Sequence, residues 1–163
     1  MEVIYLADKV ITLSPKAIQF KVPVQNWQEA LYVTSKPLLN MKIIQKSYID
    51  RMIASVNQYG PYIVIAPGIA LGHARPGDDI RHTAIALATL DPAINFGNKI
   101  NDPVDIVIIL ASSNNNDHLE LLQKLVKFLN NSQNLAYLKS SSSESDADCI
   151  SRLINEGENY ESI

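Results

Sequence analysis

The sequence predicts an α/β fold: a mixed, mainly parallel β-sheet sandwiched by helices, built as a single domain over residues 1–163. Three observations carry this. Val104–Leu110, VDIVIIL, is the most continuous β-branched run in the chain; it reads as a central strand buried on both faces, which requires helices on both sides. Capped amphipathic segments alternate with short β-rich runs, the pattern of α/β architecture. Finally, 163 residues suit one core that buries roughly two thirds of the unfolded surface, and no internal repeat or second domain is visible.

The elements follow in order. Val3–Leu13 and Ala17–Val22 lean toward β structure around Ser14-Pro15-Lys16, read as a turn, so this segment is a hairpin or one strand with a ragged lead-in. Asn26-Trp27-Gln28-Glu29 marks a helix start, with Asn26 as the cap. That helix is expected to end by Ser35, because Pro37 disfavours helical backbone at Lys36. Ser47-Tyr48-Ile49-Asp50 has the form of a capping box, Ile49, Met52, Ile53 and Val56 share one face, and Gly60 closes the helix. Tyr62–Ala66 reads as a buried strand, Pro67-Gly68 as a sharp turn, and Ile69–Leu71 as a second extended piece that delivers Gly72 and His73.

Beyond the polar loop Pro76–Asp79, Thr83–Leu90 reads as a strand packed between other elements, and Ile94 and Phe96 as a short strand or hairpin arm. After the central strand, Ser112–Asn116 forms a loop. Leu119, Leu122, Leu125, Val126 and Leu129 then mark an amphipathic helix with His118 in its first turn. Asn134–Leu138 is a short helical turn. Ser143-x-x-Asp146 opens a last helix carrying Cys149, Ile150, Leu153 and Ile154.

Composition excludes several function classes. A net charge of -3 and the lack of a basic cluster argue against a nucleic-acid surface. The single cysteine, Cys149, rules out an intramolecular disulfide and suits a reducing cytoplasm. The N-terminus lacks the basic and apolar regions of a signal peptide, and no apolar run approaches the roughly 20 residues of a membrane span. No glycine-rich phosphate loop is present, so no nucleotide cofactor is expected.

Three histidines, His73, His82 and His118, are the candidates for chemistry. His73 stands at the end of an extended run between Gly72 and Ala74-Arg75-Pro76, the placement of a displayed nucleophile, and Arg75 beside it is either an anion ligand or the partner of a surface ion pair. His118, at a helix start, lies where free amides and the helix dipole favour an anion. Both follow predicted strands by a loop, which allows them to meet at one sheet edge. His82 reads as a structural residue and Arg51 as a solvated residue of the second helix. The spacing of the histidines matches no compact metal-ligand motif. Cys149 reads as a small buried hydrophobe.

PGIALGHARP, with the later NDPVDIVIILA and DHLELLQKL, resembles the EIIA domain of the bacterial phosphoenolpyruvate-dependent sugar phosphotransferase system, mannitol/fructose class. The GPYIVIAPG lead-in and the HARP ending are most similar to the ascorbate-type EIIA. The resemblance runs from Trp27 to the helix after His118. It implies that His73 is the phosphorylated histidine, that His118 is the second active-site histidine, and that Arg75 belongs to the subgroup's motif. It also implies a cytoplasmic phosphocarrier with no cofactor and no metal. Such a carrier receives phosphate from HPr, passes it to a cysteine of EIIB and so serves a membrane EIIC permease indirectly. Oligomeric state is left open, a homodimer included, and a purely regulatory EIIA-like role is the alternative. Two departures stand out: Gly72 occupies a position that is often proline, expected to loosen the strand, and Arg51 falls earlier in its helix than the mannitol-type arginine.

Overall fold

The computed structural model describes residues 12–161. Among them are five strands, β1 (Leu13–Val22), β2 (Val64–Ala66), β3 (Ile69–His73), β4 (Ala84–Ile94) and β5 (Val104–Ala111). The helices are α1 (Trp27–Asn40), α2 (Lys46–Tyr59), α3 (Asn115–Leu129), α4 (Ser132–Ser140) and α5 (Glu144–Glu156). No helix of the described residues is long and apolar enough to cross a membrane.

The strands form one sheet in the order β1-β4-β5-β3-β2, with β5 in the middle as its β-branched run requires. β1 pairs with β4 and β3 with β5 in parallel, while β4–β5 and β2–β3 are antiparallel, so the sheet is mixed. Consecutive residues of a strand face opposite sides. Ile106 to Ala111 of β5 are all fully buried, so both faces are covered. The α1–α2 pair covers one, and α3 and α5 pack together over the other against β5 and β1.

Several local expectations are overturned by tertiary partners. Ser14-Pro15-Lys16 is no turn, and of the two readings of this segment the single strand holds: β1 runs through it, with a register irregularity between Leu13 and Ile18. β1 lies at the sheet edge and Pro15 falls in its irregular stretch, the two places where a strand tolerates proline. The stretch of the β-leaning lead-in before Thr12 lies outside the described residues.

Helix α1 does not stop at Ser35 but continues through Pro37 to Asn40. Proline cannot donate to the carbonyl four residues back, that of Val33. The side chain of Gln19 supplies the missing donor, its Nε2 giving a 2.8 Å hydrogen bond to Val33 O. Asn26 caps the helix as predicted, accepting from the Glu29 amide at 2.8 Å.

The expected capping box at Ser47 is absent. Helix α2 starts at Lys46 after Gln45, whose backbone amide is tied to Asp79 O at 2.9 Å, and Ser47 Oγ instead donates to the Asp79 carboxylate. Gly60 closes the helix at φ 87°, a backbone state that favours glycine. The run Tyr62–Ala66 yields only the short edge strand β2, and Ile65 is 45% exposed where a buried strand was expected. In α3 the buried stripe is Leu121, Leu125 and Phe128; Leu119 is 59% and Val126 43% exposed, so the helix is rotated from the predicted face. The last helix opens with a full capping box between Ser143 and Asp146, as the sequence indicates. Cys149 is half-buried there, with its Sγ 3.9 Å from an Arg152 guanidinium nitrogen, and is not a core residue.

Candidate phosphoryl-transfer site

β3 and β5 run parallel and adjacent, so the loops leaving them emerge at the same edge of the sheet. β3 ends at His73, opposite Leu110 of β5, and the chain after β5 enters α3, which carries His118 in its first turn. The two imidazoles stand with ring centroids 5.9 Å apart at a tilt of 56°. They line an open cleft of about 460 Å³ together with Ser55 and Tyr59 of α2, Tyr62, Ala74, Arg75, Pro76 and Asn115.

Gly72 explains how the histidine reaches the end of a fully packed strand. A Cβ on it would lie 2.8 Å from Ile109 Cδ1, 3.0 Å from Leu31 Cδ2 and 3.4 Å from Met52 Sδ. Glycine lets α1 and α2 close over the sheet beneath the site without a side chain giving way. The strand is therefore tight here, not loosened as the sequence suggested.

The His73 ring is half-buried and oriented from two sides. Its Nδ1 lies 2.9 Å from Leu71 O. A carbonyl oxygen can only accept, so the proton sits on Nδ1 and the lone pair on Nε2. Tyr62 meets the ring edge-on, with centroids 5.8 Å apart and planes at 90°.

His118 is held through its helix. Asn114 caps α3 by accepting from the Asp117 amide at 2.8 Å, and Asp117 Oδ2 accepts from Thr83 Oγ1 and Asn114 Nδ2, both at 2.9 Å. The first turn is thereby tied to the start of β4, and the amides of Asn115 and Asn116 have no helical acceptor of their own. Partial burial, and then the neighbouring charge of His73, push the His118 imidazole below its ordinary pKa.

Arg75 follows His73 by two residues and reaches the cleft from an exposed position. Its side chain has no ion-pair partner among the described residues. Taken together, a nitrogen nucleophile, a second imidazole, a free guanidinium and helix-start amides around an open cleft suit an incoming phosphoryl group.

Residues 12–156 match the family described as phosphoenolpyruvate-dependent sugar phosphotransferase system, EIIA 2. The chain belongs to that family. It is 32% identical over 139 residues to the ascorbate-specific PTS system EIIA component of Escherichia coli (strain K12), a match covering 84% of this chain and 90% of that protein. The solution structure of the mannitol-specific cryptic phosphotransferase enzyme IIA CmtB from Escherichia coli is similar at a TM-score of 0.77 and 31% identity, over 86% of this chain and 96% of that one. The complex of enzyme IIAMTL and phosphorylated enzyme IIBMTL from Escherichia coli contains the same fold, with a TM-score of 0.74, 16% identity and coverage of 88% and 96%.

In this EIIA chain, sequence reasoning brought together His73, His118 and Arg75 but missed the residues beneath them. Tyr48 is fully buried, and its hydroxyl donates to Leu110 O at 2.6 Å while accepting from the Ala74 amide at 3.0 Å. It thus bolts the residue after His73 to the end of β5. Burial pushes the phenol up to about 12, so it remains a donor across the whole working range. Arg51, expected to be solvated, instead grips the Asp79 carboxylate with two bonds of 2.9 and 2.6 Å. The readable signal was a Tyr48–Arg51 pair three apart on one helix face, opposite the acidic Asp78-Asp79 loop. His82 is exposed and outside the cleft, as its structural reading implied.

Proposed function

We propose that this chain is a single-domain phosphocarrier EIIA component over residues 1–163, working in the cytoplasm of an ascorbate-type sugar phosphotransferase system. HPr is the donor, EIIB the acceptor, and a membrane EIIC permease the indirect beneficiary. The observation that carries the reading is the Nδ1 bond to Leu71 O, which leaves the Nε2 lone pair of His73 free in an open cleft.

Nε2 attacks the phosphorus of phosphohistidine on HPr. A new N–P bond forms, the donor's N–P bond breaks, and its electron pair stays on the HPr imidazole. The bond to Leu71 O stabilises the positive charge that grows on the His73 ring. In the second step a cysteine thiolate of EIIB attacks the same phosphorus, an S–P bond forms, and the pair returns to Nε2. Such transfer needs positioning and charge neutralisation more than covalent help from the protein. Arg75, the amides at the start of α3 and His118, which gains basicity when a phosphoryl dianion arrives, provide that neutralisation. No cofactor or metal enters either step.

The ascorbate-specific relative favours transport over a purely regulatory role. The test is label transfer from phosphoenolpyruvate through enzyme I and HPr. The wild type takes up label and passes it to an ascorbate-type EIIB, and His73→Ala takes up none. Label on His73→Ala would overturn the assignment; label that no EIIB accepts would favour regulation.

A further inference from the structure

The segment from Ala74 to Asp79 carries Arg75 to the cleft, and it is exposed loop that would not hold a guanidinium steady by itself. α2 holds it at both ends. At the start, the Ala74 amide donates to Tyr48 Oη at 3.0 Å and Arg51 Nη1 donates to Arg75 O at 2.8 Å. At the far end, Arg51 Nε and Nη2 clasp the Asp79 carboxylate, Ser47 Oγ adds a 3.0 Å bond to it, and Gln45 N binds Asp79 O at 2.9 Å.

Among the described residues, Arg51 is the one side chain that grips both ends. Its guanidinium lies over the Tyr48 ring, 5.2 Å from the centroid, so its plane is fixed from below. The loop folds closely about it: a Cβ on Gly77 would sit 2.8 Å from Arg51 Nη2 and 3.0 Å from Asp79 Oδ1. Arg51 does not line the cleft, and its charge is matched by Asp79, so it is unsuited to bind phosphate itself.

We propose that Arg51 is a positioning residue: by holding Arg75 O and the Asp79 carboxylate together, it aims the unpaired Arg75 guanidinium at the phosphoryl group on His73. The inference rests on the phosphocarrier reading above. Lysine cannot replace it, because the task needs a planar fork with three directed donors and an ammonium is a point charge.

The experiment is a double-mutant cycle in the HPr phosphotransfer assay, with R51Q, R75Q and the double variant. R75Q lowers kcat by about 10²-fold, the scale of losing one charged donor to the transferring group. R51Q lowers kcat about tenfold with little change in the KM for phosphorylated HPr, within the effect of a misplaced catalytic group. In the R75Q background R51Q has no further effect on kcat, since its target is already gone. R51K fails to restore the rate. Equal losses from R51Q in both backgrounds, or no loss in either, would overturn the proposal, as would full rescue by R51K. Should R51Q fold poorly, D79N breaks the same fork from the loop side and the cycle is run with it. A wild type that takes no label sinks the phosphocarrier reading and this inference with it, whereas a labelled wild type with an additive cycle sinks only the inference.

Discussion

The two histidines of the cleft are held in opposite ways. His73 ends a strand with hydrogen-bonded neighbours, follows a glycine closely packed by Ile109 and Leu31, and has its ring fixed by Leu71 O and Tyr62. His118 sits on the first turn of a helix whose cap is well tied, beside an exposed Leu119. Its ring shows no hydrogen bond to the described residues. In the proposed function, the His73 nucleophile is thus held in one fixed direction, and His118 is left free to respond to charge. A phosphocarrier needs both, because the attacking atom must be in line for two different partners while the charge of the group it holds comes and goes.

The strongest way to break this comparison is to delete the responsive half. His118→Ala is expected to slow phosphotransfer by about 10²-fold, the effect of losing one stabilising group, while leaving the thermal midpoint almost unchanged. An undiminished rate would remove His118 from the chemistry. Disturbing the rigid half should act on the fold instead. Gly72→Ala forces a methyl group against Ile109 and Leu31 and should lower stability by about 1–3 kcal/mol in urea unfolding. A neutral result would mean that α1 and α2 lie farther from β3 than the structure places them.

The smallest effect concerns protonation. Burial and the His73 charge both lower the His118 pKa, so its NMR titration midpoint should fall below the ordinary value near 6.5. Removing His73 should bring it part of the way back. For stability the sign follows directly: the unfolded chain binds this proton more readily than the folded one. The group therefore has no effect above its ordinary pKa and destabilises the fold as pH drops below it. A midpoint at or above the ordinary value would show that some anionic group already faces the ring.

How much of this was readable beforehand depends on how far each signal reaches along the chain. VDIVIIL placed the central strand, Ser143-x-x-Asp146 placed the last helix, and Asn26 placed the start of α1, because a β-branched run or a capping side chain acts within a turn or two. The helix through Pro37 was misread because the donor that satisfies Val33 O comes from Gln19 on another element. The face of α3 was misread because Leu119 and Leu122 fit a helical stripe as well as Leu121 and Leu125 do, and only the sheet beneath selects between them.

By itself, the sequence determined the fold class, the central strand and the candidate residues that meet in the cleft: His73 behind its glycine, Arg75 two residues on, and His118 at a helix start. Their meeting across 5.9 Å, and the partners that hold them, were decided by the tertiary structure. Arg51 and Asp79 lie 28 residues apart, and nothing local to either shows the other. Propensity and periodicity act over a few residues, whereas a hydrogen-bonded fork exists only after the fold has brought a helix and a distant loop together.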